Sequence, residues 1–169
     1  MTNEQLLMSI KDIQIAYQEF CDRVRSVMLS TTSSEGVPNA SYAPFVMDTA
    51  KNIYIFVSGL SVHTQNLAKN PQISVLFIED EEKSPDIFAR PRLSFNCQAI
   101  FMERETAEWI EISDRFEEQF GEIIQTLRSL PDFRIVKLIP RDGRFVLGFG
   151  QAYQISRGEG DRLTLITGR

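Results

Sequence analysis

Ile53–Ile78, IYIFVSGLSVHTQNLAKNPQISVLFI, decides the fold. Two nearly continuous apolar runs, Ile53–Val57 and Ile73–Ile78, bracket it. Runs this short without a polar face read as strands covered on both sides. Between them, Ser58–Pro71 opens on a glycine-containing turn and closes at Pro71. Ser61 stands where it can cap a short helix with an apolar edge of Val62, Leu67 and Ala68. A short helix between buried strands brings its first-turn N–H groups to a sheet edge, a natural place to hold an anion. The same helix carries His63, the one histidine among 169 residues. A lone histidine serves in packing as readily as in chemistry, and the residues alone leave both readings open.

Outward from this unit, the spacing predicts a first helix over Thr2–Val24, with Leu6, Ile10, Ile13, Tyr17, Phe20 and Val24 on one stripe. Thr2 and Gln5 have the form of a capping box. The stripe has no basic polar face, so it reads as core or subunit contact and not as a membrane-surface helix. Val27–Thr32 and Ala40–Asp48 read as strands about the turn Ser33–Gly36, with Pro44 at an edge or bulge. Glu79–Asp86 reads as a solvated acidic loop. Leu93–Phe101 alternates strictly, with Leu93, Phe95, Cys97, Ala99 and Phe101 on one face. That places Cys97 in the core as an inert thiol.

Helical spacing returns over Thr106–Leu130, where Gly121 is a natural break. Phe133–Ile139, Arg144–Phe149, Ala152–Ile155 and Leu163–Ile166 follow as strands, with Pro140-Arg141-Asp142-Gly143 as a hairpin turn between the first two. Strands this short and numerous suggest a barrel of mainly β class with flanking helices. The organisation is one domain over 1–169: an N-terminal helix (1–24), a first barrel half (25–105), a helical segment (106–130), and closing strands with a truncated-looking tail (131–169).

Composition narrows the function. A net charge of −5 argues against a general nucleic-acid binder, because phosphate recognition needs a basic surface. Nothing resembles a secretory signal, and no run approaches the roughly 20 apolar residues of a membrane span. Cys21 and Cys97 make neither a disulfide framework nor a zinc pattern. The expectation is a cytoplasmic protein without membrane partners. No GxSxG, GxGxxG or P-loop is present, and one histidine with two scattered cysteines does not make a zinc ligand set. What remains is a site around a large prosthetic group, with basic residues to receive acidic substituents. Arg90 and Arg92, in Phe88-Ala89-Arg90-Pro91-Arg92, are the candidates, and ordinary surface arginine is the competing reading.

Val27-Met28-Leu29-Ser30-Thr31, Gly36-Val37-Pro38, Ser41-Tyr42-Ala43-Pro44-Phe45 and His63-Thr64-Gln65-Asn66-Leu67 resemble the pyridoxamine 5'-phosphate oxidase-like, FMN-binding split-barrel superfamily. Ser61–Leu67, Phe88–Leu93 and the Phe145–Ala152 run FVLGFGQA resemble more narrowly its haem-utilisation proteins of the HutZ/HugZ type. The resemblance implies a homodimeric, antiparallel split barrel of six to eight strands with haem in the cleft between subunits. It implies that this haem is then opened oxidatively, with O2 and an unidentified electron donor, releasing iron. It implies Arg92 facing the haem, where it could pair with a propionate or donate to an iron-bound ligand. It implies Asp132 as the carboxylate that could orient a ligand histidine, against a plain turn residue. Arg90 and His63 complete the implied haem-binding set.

Flavin-binding members tend to carry Lys or Arg at position 63. A neutral imidazole is a weaker phosphate clamp and a good iron ligand, which turns the expectation from FMN toward haem. Haem-branch members usually take their axial histidine from a Gly-rich tail, which the resemblance places beyond Arg169. That leaves His63 as iron ligand or pocket residue. Three functions stay open: haem degradation, an FMN-dependent oxidoreductase, and a non-catalytic haem carrier.

Overall fold

A computed structural model describes residues 9–158 and 160–167. Helix α1 runs Ile10–Glu19, and a short 3-10 turn, Phe20–Arg23, follows it. The helix begins at Ile10, and not in one piece from Thr2, because Ser9 is extended and closes a capping box with Asp12. The expected box at Thr2 and Gln5, with Leu6, lies outside the described residues. From Ile13 onward the stripe packs on the core, whereas Ile10 is exposed: Tyr17 and Phe20 are fully buried and meet the Phe145 ring edge-on at 5.8 and 5.5 Å.

Eight strands follow. They are β1 (Ser26–Thr32), β2 (Pro38–Met47), β3 (Ile53–Ser58), β4 (Gln72–Ile78), β5 (Arg92–Phe101), β6 (Phe133–Gly148), β7 (Gln151–Ser156) and β8 (Arg162–Leu165). Helix α2 (Val62–Lys69) joins β3 to β4, and α3 (Ala107–Phe120) and α4 (Ile123–Ser129) join β5 to β6. The sheet order is β3-β2-β1-β4-β5-β6-β7-β8, all neighbours antiparallel, and β3 also pairs with β6. That seam closes β1–β6 into a six-stranded barrel and leaves β7 and β8 as an extension.

Strand β3 is covered on both faces as predicted. Ile53, Ile55 and Val57 fill the barrel, while Tyr54 and Phe56 pack under α3 and α4 with Trp109, Ile112 and Phe116. Strand β4 differs: Ile73, Val75 and Phe77 are buried, but Ser74 is exposed and Leu76 and Ile78 are half-covered. Its outer face lacks the helices that cover β3. Strand β5 alternates as read, with Leu93, Phe95, Cys97 and Ala99 inward. The helical segment breaks at Gly121, whose φ of +85° suits glycine and ends α3.

The expected hairpin at Pro140–Gly143 is not a turn. Residues 133–148 form one strand that pairs with β3 along its first part, with β7 along its last, and with β5 through both. Pro-Arg-Asp-Gly serves a bulge instead. The register slips between Asn96 and Cys97, which face Asp142 and Pro140, so Arg141 is the extra residue. Proline is admitted at a bulge because it has no N–H to leave unpaired. Gly143 is needed for close approach, since a Cβ there would lie 2.4 Å from the Ser94 carbonyl oxygen and 2.6 Å from the Phe95 ring.

Candidate functional site

The turn from β3 into α2 gathers two of the predicted residues. Ser58 Oγ donates to Asp132 Oδ2 at 2.9 Å and accepts from the Leu60 N–H at 3.1 Å. The Gly59 N–H donates to the Asp132 carbonyl at 2.7 Å, and a Cβ on Gly59 would stand 3.0 Å from that oxygen. Asp132 is thus fixed to the loop that leads to His63. Ser61 occupies the N-cap position of α2 with extended dihedrals, yet its side chain makes no cap bond.

Helix α2 sits on a polar seat. Asn66 Nδ2 donates to Thr31 Oγ1 at 3.0 Å, and His63 Nδ1 lies 3.0 Å from Ser41 Oγ. The imidazole is half-buried, and Nε2 is shielded from solvent without a partner among the described residues. One nitrogen is engaged and the other covered, so in this arrangement neither is open to a metal. Burial lowers the His63 pKa from its ordinary value. The unfolded chain therefore takes up a proton near pH 6.5, before the folded chain does. Stability from the neutral ring is complete above that pH and is lost as the pH falls below it. Melting temperature should drop as the pH falls through and below about 6.5, and His63→Gln should flatten that slope. Equal slopes in parent and variant would show that the ring does not titrate in place.

The arginines lie elsewhere. Arg92 begins β5 and pairs with Val146 near the end of β6, whereas Phe101 ends β5 opposite Val136. Ser58 pairs with Phe133, at the start of β6 beside Asp132. Arg90 and Arg92 therefore occupy the barrel end opposite His63 and Asp132, and one chain does not bring all four together. Arg90 is mostly spent on its own loop: Nε donates to the Glu79 carbonyl at 2.6 Å and Nη1 lies 3.6 Å from Glu81. Glu79 is buried and paired with Arg23 at 3.2 Å, so the acidic stretch is braced as well as solvated. Arg92 Nη1 donates to the Arg90 carbonyl at 2.9 Å, and its other nitrogens are unbonded among the described residues.

Sequence reasoning gave no role at the site to the apolar residues around either end. Phe88, next to the arginines, is 86% exposed, and Ile87 and Phe149 are exposed with it. At the other end Met28, Tyr42, Leu60 and Val62 are exposed. Such side chains, where they adjoin in one patch, are the kind of surface that a ligand or partner covers. Ser41 and Ser58 were equally silent, because their partners lie far along the chain. A cleft of about 540 Å³, lined by Ser30, Thr32, Ser74, Asn96, Arg141 and Asp142, includes none of the four predicted residues. Among the described residues, no group of three or more His, Cys, Asp or Glu is placed to hold a metal ion. No helix among them is long and apolar enough to cross a membrane.

Each end thus offers an apolar rim with a charged or polar group, and neither encloses anything alone. The sequence signature described as pyridoxamine 5'-phosphate oxidase matches residues 13–147. The haem oxygenase HutZ of Vibrio cholerae is 42% identical over 139 residues, covering 82% of this chain and 78% of that protein. The crystal structure of V. cholerae HutZ, described as a haem storage protein, superposes with a TM-score of 0.74 at 38% identity, over 78% of this chain and 92% of that one. Campylobacter jejuni ChuZ superposes with a TM-score of 0.84 at 38% identity, over 94% of this chain and 64% of that one. The split barrel, the matched signature and the identity to HutZ show that the chain belongs to the pyridoxamine 5'-phosphate oxidase family, in its HutZ-type branch.

Proposed function

We propose that this protein binds haem between two copies of the chain and opens it oxidatively, consuming O2 and electrons from a donor and releasing iron. The observation that carries the reading is the separation of the charged groups: Arg92 at one barrel end, Asp132 and His63 at the other. A two-fold axis running across the barrel axis would set the arginine end of one chain against the Asp132 end of its partner. The residues suit haem, a flat apolar ring with anionic propionates. Arg92, with free guanidinium nitrogens, would receive a propionate in a charge-assisted pair, and Arg90 adds positive charge beside it. Phe88 and Phe149 from one copy, with Tyr42 and Val62 from the other, would cover the ring and exclude water. Asp132 retains one carboxylate oxygen to accept from an N–H or O–H donor in the cleft. His63 forms part of the wall. Haem, as substrate, supplies the iron at which O2 is reduced.

The lowered His63 pKa disfavours the FMN alternative, because a neutral imidazole adds no charge against a phosphate. Cys21 and Cys97, both buried and free, suit a reducing compartment, so we place the protein in the cytoplasm. The test is a hemin titration of the protein followed by absorbance, with and without ascorbate in air. A saturable Soret band that bleaches on reductant supports degradation, and Arg92→Ala should weaken hemin binding about tenfold. A stable band would make this a haem store. Flavin absorbance with no Soret band would overturn the haem reading.

A further inference from the structure

We infer that Ser58 is a positioning residue that sets the carboxylate of Asp132 for its work in the cleft. The inference rests on the placement of Asp132 in the haem site proposed above, and it concerns a residue outside the set read from the sequence.

The geometry is a two-sided bracket. Ser58 Oγ spends its proton on Asp132 Oδ2 at 2.9 Å and one lone pair on the Leu60 N–H at 3.1 Å. The hydroxyl cannot rotate to serve another acceptor without giving up Asp132. On the main chain, the Gly59 N–H holds the Asp132 carbonyl at 2.7 Å. Asp132 is thereby held at two points, one on its backbone and one on its side chain. Of its carboxylate, Oδ2 is committed to Ser58, and Oδ1 has no hydrogen-bond partner among the described residues. A carboxylate fixed through one oxygen presents the other in one direction, which is the arrangement that makes an outer partner effective in orienting a donor.

The contacts also have little else to do. Ser58 and Asp132 are only half-buried, and the Leu60 bond is exposed. Water can replace an exposed hydroxyl as a partner but does not fix a carboxylate's orientation. Hence Ser58→Ala should melt within about 4 °C of the parent, while losing control of Asp132.

The test is a double-mutant cycle on the full chain, read by hemin dissociation rate, Soret position and, in the haem-free protein, exchange of the Leu60 amide. Asp132→Ala should speed hemin loss about tenfold, in the range usual for such outer partners. Ser58→Ala should speed it several-fold and shift the Soret band in the same sense. Ser58→Thr, which keeps the hydroxyl at a strand end where β-branching fits, should restore the parent values. In the Asp132→Ala background, Ser58→Ala should add nothing, since the group it positions is gone. Leu60 exchange should quicken in Ser58→Ala and stay slow in Ser58→Thr.

Two results overturn the inference while leaving Asp132 in the site: Ser58→Ala binding hemin like the parent, or its effect multiplying unchanged onto Asp132→Ala. If Asp132→Ala itself leaves hemin binding and spectrum untouched, Asp132 stands outside the site and the inference falls with it.

Discussion

Gly143→Ala should destabilise the protein by about 3 kcal/mol, enough to move the denaturant midpoint well outside error. The added methyl would sit 2.4 Å from the Ser94 carbonyl oxygen and 2.6 Å from the Phe95 ring. Neither neighbour can yield cheaply. The Ser94 oxygen belongs to β5 backbone paired on both sides, and Phe95 is 1% exposed and packs edge-on against Phe77 and Tyr17. Relief would require β5 and β6 to part at the point where one strand already carries an extra residue. Gly121→Ala is the matched control. Nothing lies within 4 Å of that Cβ, but φ is +85°, so the cost there is conformational and about 1–2 kcal/mol. A loss below about 1 kcal/mol for Gly143→Ala would mean that the strands open at the bulge more easily than the packing implies.

Haem binding should recover when two defective subunits are combined. In the dimer proposed above, Arg92→Ala and Asp132→Ala would each damage one end of the barrel, so each homodimer should bind hemin weakly. In a heterodimer of the two, one cleft receives both damaged ends and the other receives both intact ones. Differently tagged subunits, co-expressed and purified as the mixed dimer, should therefore bind about one haem per dimer at parental affinity. If Arg92 and Asp132 served the same cleft from the same chain, every cleft would carry one defect and none would recover. The stoichiometry decides between the arrangements, whatever the absolute affinity.

Much of the barrel is legible locally because burial repeats with the strand. Leu93, Phe95, Cys97 and Ala99 declare β5 by alternation, and Ile53–Val57 declares a doubly covered strand by having no polar face. The reading fails at β6, where Pro140–Gly143 has the composition of a turn. Whether Pro-Arg-Asp-Gly reverses the chain or bulges depends on Asn96 and Cys97 across the sheet, and no local window contains both. The site divides the same way. His63 stands out by being alone, and Arg90 and Arg92 by their charge. That Arg90 braces Glu79, that Arg92 lies an entire strand away from His63, and that Ser58 holds Asp132 all follow from pairings between distant segments. Residue type supplies the chemistry at each position, and barrel closure decides which chemistries meet.

The seam between β3 and β6 also sets the order in which the molecule can be made. It joins Ile53 to Leu138 and Ser58 to Phe133, whereas β1–β2, β2–β3, β4–β5 and β7–β8 pair near neighbours in sequence. Closing a long loop costs entropy before any distant contact rewards it, and chains rich in such pairings fold slowly. The local hairpins can form while the chain is still emerging during synthesis, but the seam must wait for β6. Asp132 lies directly at that seam, so its contact with Ser58 cannot form before the start of β6 has been made. A newly synthesised chain therefore completes the Ser58–Asp132 end of the barrel only once β6 has been made, and the haem site proposed above is absent from a chain halted before it.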